Sequence, residues 1–179
     1  HLKQPDKAMV LYKEGIEKFP DRYEFKNRAA ISAFRNKDVN QAMEWLAELA
    51  EKNPKNVDWN YSAGTVAEEL KNYKQAELYY RRVLEQKPSY SNASFSLGSI
   101  FEKQGQPEIA RGYYEKTLKY NANHLSALLN LAQLEQETEP DKSLAHWKKY
   151  LEIAEKKKQS AEMIENAKKQ IKLLESGTK

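Results

Sequence analysis

A chain of 179 residues has room for one compact domain or a short array of repeats. With 40% hydrophobic and 31% charged residues, 6 Gly and 6 Pro, and no uncharged apolar run of about 18 residues, it is neither collagen-like nor broadly disordered and holds no membrane-spanning segment. The absence of cysteine excludes disulfides and thiolate chemistry, and the net charge of +4 lies wholly in residues 141–179 (10 Lys against 6 acidic residues, where residues 1–140 carry 20 of each sign), so nucleic-acid binding over a basic body is disfavoured.

The elements that follow in chain order are all helical. The sequence opens abruptly at His1-Leu2-Lys3, beside a helical pattern expected over about 5–19, and reads as a segment of a longer chain. Another helix begins near Arg22 and runs to about Asn36, with Phe25, Ala29, Ala30 and Ala33 among its apolar and small residues. After the Asn36-Lys37-Asp38 turn, Val39, Ala42, Met43, Leu46, Leu49 and Ala50 keep the i, i+3, i+4, i+7 spacing of an amphipathic helix. The same two-helix pattern returns, predicting pairs at 22–53, 56–87, 90–121 and 124–157. Pro54 and Pro88 fall past the second helix of their pairs, where proline stops a helix without removing an internal hydrogen bond. A final helix at about 160–175 carries Met163, Ile164, Ala167, Ile171 and Leu174 on one side, as a solvating cap requires. The expected organisation is therefore an array over 1–157 and a capping helix with its tail over 158–179.

Several columns share one period. Pro20, Pro54 and Pro88 are 34 residues apart, as are Ala8, Ala42, Ala76 and Ala110, and Tyr12, Leu46, Tyr80 and Tyr114. Gly64 and Gly98 stand between Ala30 and Ala132 at the same interval. In the last pair the first helix keeps 34 but the second fits 33 (Pro107 to Pro140, Tyr114 to Trp147), so one residue has been lost in the turn.

Helix pairs of this length, with small, aromatic and proline columns, resemble the tetratricopeptide repeat over about residues 5–157. The resemblance implies an all-α, right-handed α-α superhelix in which Ala30, Gly64, Gly98 and Ala132 let each first helix approach its partner. Two columns depart from the family pattern: its tryptophan position holds Lys26, Asn60, Ser94 and Leu128, and its tyrosine position holds Ala33, Ala67, Phe101 and Glu135.

Motifs for chemistry are missing. The three histidines, His1, His124 and His146, have no metal-ligand spacing, no glycine-rich phosphate loop is present, and Glu68-Glu69 diverge by about 100° on a helix instead of converging. We expect no catalytic, cofactor or metal site, and ordinary packing or surface roles for the histidines. Tyr12, Tyr80 and Tyr114 read as core, Tyr79, Tyr113 and Trp45 as partly buried between repeats, and Trp59 as exposed.

The resemblance implies that partners bind a concave face lined by the first helices. It maps that face onto Glu24, Asn27, Arg28, Ile31, Phe34 and Arg35 in the first pair and onto Asp58, Tyr61, Ser62, Thr65, Glu68 and Glu69 in the second. In the third it maps onto Asn92, Phe95, Ser96, Ser99, Glu102 and Lys103, and in the fourth onto Ser126, Leu129, Asn130, Gln133, Gln136 and Glu137. Small residues such as Ser62, Thr65, Ser96 and Ser99 leave room, Tyr61, Phe95 and Leu129 supply apolar surface, and Asn92, Asn130 and Gln133 can bond an extended backbone. The lysines of the carboxylate-clamp subtype are missing, Asn27, Ile31, Ser62, Asn92 and Ser96 standing at those positions, and Asp58, Glu68, Glu69 and Glu102 favour a neutral or basic segment. The expected function is a non-enzymatic scaffold for a peptide or protein segment. The alternatives are self-association through an N-terminal face near Leu11, Tyr12 and Ile16, or service to an activity elsewhere in a larger chain. Lys and Asn richness suits a bacterial source, and cytoplasm, periplasm and a lipid-anchored exterior all fit the composition.

Overall fold

The structure, a computed structural model, describes residues 4–177, with side chains from Lys7 onward; His1 lies outside them. The described residues form ten helices: α1 (Gln4–Lys18), α2 (Tyr23–Arg35), α3 (Val39–Lys52), α4 (Val57–Glu69), α5 (Tyr73–Gln86), α6 (Ser91–Lys103), α7 (Pro107–Tyr120), α8 (Leu125–Leu134), α9 (Pro140–Lys156) and α10 (Ala161–Gly177). They fall into two compact units that divide between Pro88 and Ser89. Within each unit the extensive packing is between helices adjacent in the chain: α1 on α2, α2 on α3, α3 on α4 and α4 on α5 in one, and α6 through α10 likewise in the other.

The period is visible in the turns. Asp38 and Asn72 each accept the N–H three residues on (Gln41, Gln75; 3.3 Å), which caps α3 and α5, whereas α7 and α9 start on Pro107 and Pro140, where a missing N–H costs nothing. At the end of the first helices, Lys37, Lys71 and Gly105 take positive φ (65°, 57° and 71°). The next N–H then reaches back to the helix in a Schellman turn: Asp38 to Ala33, Asn72 to Ala67 and Gln106 to Phe101, each 2.9 Å. The fourth pair has no such residue. Glu139, 34 positions after Gly105, has φ −141°, α8 ends early at Leu134, and Glu139 N–H bonds Glu135 instead (2.8 Å). The residue lost from the last turn is the left-handed one.

After the second helices, Asn53, Lys87 and Asn121 share one extended conformation (φ −139°, −138° and −139°). A following proline favours it at Pro54 and Pro88, yet Asn121 adopts it before Ala122, so the local fold holds the turn without the ring.

Each pair closes on one small-to-large contact. A Cβ placed on Gly64 would lie 2.7 Å from the Tyr80 ring, and one on Gly98 would lie 2.5 Å from that of Tyr114. The first pair joins Ala30 to the smaller Leu46 in one core cluster, and the last joins Ala132 to Trp147. Of the columns that depart from the family pattern, Asn60 is buried and its amide donates to the carbonyls of Pro54 (3.0 Å) and Asn56 (2.7 Å), tying the preceding turn to α4. Glu135, in the tyrosine column, is 1% exposed and is met by His146 Nδ1 at 2.7 Å and Arg111 Nε at 3.5 Å. A buried carboxylate is tolerable there because the Arg111 guanidinium of α7 lies against it and the His146 ring of α9 is within hydrogen-bonding distance of it.

Three aromatic expectations need correction. Tyr79 is fully buried, where partial burial was expected, because α5 seats it in the core cluster of the first unit. Trp59 is not exposed: it is half-buried, its ring edge-on to Tyr23 at 5.8 Å. Tyr12, expected in the core, is only half-buried, as is Ile16 beside it, while Leu11 and Val10 are exposed.

Candidate functional site

In the first unit α2 and α4 lie over α3, with Leu46 of α3 beneath them. Between them opens a hollow of about 240 Å³ lined by Ile31, Phe34, Leu46, Tyr61, Ser62, Thr65 and Val66. Ile31, Phe34, Tyr61, Ser62 and Thr65 are groove positions named from the sequence; Leu46 and Val66 are buried residues that form its floor. Their part in the hollow has no sequence signal, since both obey the core periodicity. The Thr65 hydroxyl donates to the Tyr61 carbonyl (3.0 Å), which leaves the hollow mainly apolar.

Tyr61 packs on Tyr80 (ring centroids 5.6 Å apart), and the Tyr80 hydroxyl donates to Glu68 Oε2 (3.1 Å) and lies 3.4 Å from Thr65 Oγ1. The Glu68 carboxylate is therefore held in place at the edge of the hollow by a core side chain. Arg28 and Arg35 on α2 and Asp58 and Glu69 on α4 are exposed, and Asn27 is half-buried.

The second unit repeats the arrangement. The Tyr114 hydroxyl donates to Glu102 Oε2, and Asn130 Nδ2 donates to the Tyr114 oxygen (2.8 Å) and to Glu102 (3.2 Å). Phe95 lies 5.5 Å from Tyr114 and 4.7 Å from the ring of His124. His124 is the N-cap of α8, its Nδ1 accepting the Ala127 N–H (3.2 Å), and burial holds its pKa below the ordinary imidazole value. Ser96, Ser99 and Leu129 are half-buried, and Asn92 and Gln133 are exposed. Asn130, expected to bond a partner backbone, instead spends its amide on the Tyr114–Glu102 pair. That pairing is invisible in sequence because it joins residues on three helices.

Among the described residues, no group of three His, Asp or Glu side chains is placed to hold a metal ion, and no helix is long and apolar enough to cross a membrane.

Tetratricopeptide-repeat family models match residues 1–63 in one form and residues 46–91 and 95–156 in another. The chain belongs to the tetratricopeptide repeat family. Solved structures of tetratricopeptide proteins share its all-helical fold. A crystal structure of MamA is 20% identical with a TM-score of 0.78, over 88% of this chain and 98% of that one. MamA from Desulfovibrio magneticus RS-1 is 18% identical with a TM-score of 0.77, over 85% of this chain and 86% of that one. YrrB, described as a tetratricopeptide protein with an unusual peptide-binding site, is 20% identical with a TM-score of 0.73, over 93% of this chain and 84% of that one. At such identities the likeness carries the fold alone. No curated protein matches the chain in sequence. Tetratricopeptide repeats are, as a family, protein-interaction scaffolds and generally not enzymes.

Proposed function

We propose that the chain is a non-enzymatic scaffold that captures a peptide or protein segment on the face presented by its first helices. The observation that carries this reading is the hollow between α2 and α4, whose lining includes Ile31, Tyr61, Ser62 and Thr65. A concave, largely apolar site with few polar groups is where a side chain from a partner gains most by leaving water. The paired aromatics Tyr61 on Tyr80 and Phe95 on Tyr114 support it: rings already fixed by the core lose little entropy on binding.

The test is capture. Tyr61→Ala combined with Phe95→Ala is expected to weaken retention of a bound partner by about tenfold or more, as loss of central aromatic contacts does, while far-ultraviolet circular dichroism keeps its helical signal. Undiminished capture by a fully helical double variant refutes the reading.

A further inference from the structure

From the hollow in the first unit we infer the chemistry of its occupant: a polypeptide segment with one bulky apolar side chain set between an acidic and a basic residue. The inference rests on the scaffold reading above and adds what the segment must contain. At about 240 Å³ the hollow is smaller than the pockets of about 300–1,000 Å³ that enclose a free small molecule. It suits a single side chain delivered by a backbone that stays outside. Leu46 and Val66 make its floor and Ile31 and Phe34 one wall, and the Thr65 hydroxyl is already bonded to the Tyr61 carbonyl, so the lining is matched by an apolar anchor.

The rims carry opposite charge. On α2, Arg28 and Arg35 lie three residues before and four after Ile31, on the same helix face, and both are exposed. On α4, Asp58 precedes Tyr61 by three residues and Glu69 follows Thr65 by four, and Glu68 is fixed by the Tyr80 hydroxyl at 3.1 Å. A segment lying across the hollow meets cations on the α2 side and carboxylates on the α4 side. A uniformly basic or uniformly acidic segment would face like charge on one rim.

The experiment selects a random-peptide phage library on the immobilised wild-type chain and measures the winners against variants. The expected consensus is a Leu, Met or Phe anchor with an acidic residue to one side and a basic one to the other. Thr65→Leu, which fills the hollow, lowers binding of those peptides about tenfold or more, and Glu68→Gln relaxes the preference for the basic residue while keeping the anchor. Ser62→Leu fills the same hollow from a neighbouring position and replaces Thr65→Leu if that variant loses its helical signal. Winners with no apolar anchor, with charges of one sign only, or indifferent to both fillings overturn the inference. If such winners still lose binding on Phe95→Ala, the scaffold reading survives without it. If nothing enriches, or no substitution on the face matters, both fail.

Discussion

His124 holds the N-terminus of α8 with an unprotonated ring nitrogen: Nδ1 accepts the Ala127 N–H at 3.2 Å, and the ring lies 4.7 Å from Phe95. Burial is the main reason its pKa is lowered, with the charge of Lys157 acting the same way. A lowered histidine value means that the folded state favours the neutral ring. The stabilisation is therefore complete above the unfolded-state value of about 6.5 and is lost as pH falls through the lower folded value. Asn56 caps α4 at the equivalent position through its Oδ1, accepting from the Trp59 N–H at 2.9 Å without any titration. His124→Asn is accordingly expected to preserve the cap and remove part of the acid sensitivity. Thermal melts at pH 7.5 and pH 5 check this: the drop in midpoint between the two should be smaller in the variant than in the wild type. An equal drop in both shows that protonation of His124 does not reach stability.

At the scale of the helix pair, the fit between the small residue of the first helix and the large residue of the second is a two-body property. Gly64 faces Tyr80 and Gly98 faces Tyr114 at distances that leave no room for a methyl group, whereas the first pair combines Ala30 with Leu46. Gly64→Ala should destabilise the array by about 1–3 kcal/mol through overpacking, even though alanine is the better helix former. Adding Tyr80→Leu, the combination of the first pair, should recover part of that loss, although it also gives up the bond to Glu68. Urea denaturation of the two single variants and the double variant measures the coupling, and strictly additive effects would show that the glycine is not there for the ring. The period of 34 made these columns legible from sequence, because packing imposes the same residue size at each recurrence. Of the hollow's lining, Ile31, Phe34, Tyr61, Ser62 and Thr65 were legible only as positions along two helices. What sequence does not convey is how those positions are used: Asn130 and Glu68 serve core tyrosines, Leu46 and Val66 floor a hollow while keeping core periodicity, and Glu135 is buried because Arg111 and His146 arrive from other helices. Each depends on partners distant in the chain, and no local pattern encodes them.

At the scale of the whole molecule, packing that runs from each helix to its chain neighbours within each unit makes the stability of that unit close to a sum of local terms. The end of the second unit shows what such a series requires. Ala167 and Leu174 of α10 are buried in one cluster with Trp147, Tyr150, Ile153 and Ala154 of α9, and Ile164 and Ile171 pack against it, while Lys168, Lys169 and Lys172 remain exposed. The polar outer side also supplies ion pairs, Lys168 to Glu155 (3.1 Å) and Lys148 to Glu175 (2.7 Å), which at the surface add little stability and chiefly keep the end wet. Truncation after Lys157 would return the apolar surface of α9 to water. Burial of a large apolar side chain is worth about 1.5–3 kcal/mol, so amide protection in α9 should fall on the order of a hundredfold. Because α2 to α5 belong to the other compact unit, their protection should change little. Hydrogen exchange followed by mass spectrometry resolves the two cases. A uniform loss of protection from α2 to α9 would mean that the array unfolds as one cooperative body, and the neighbour-by-neighbour account of its stability would have to be abandoned.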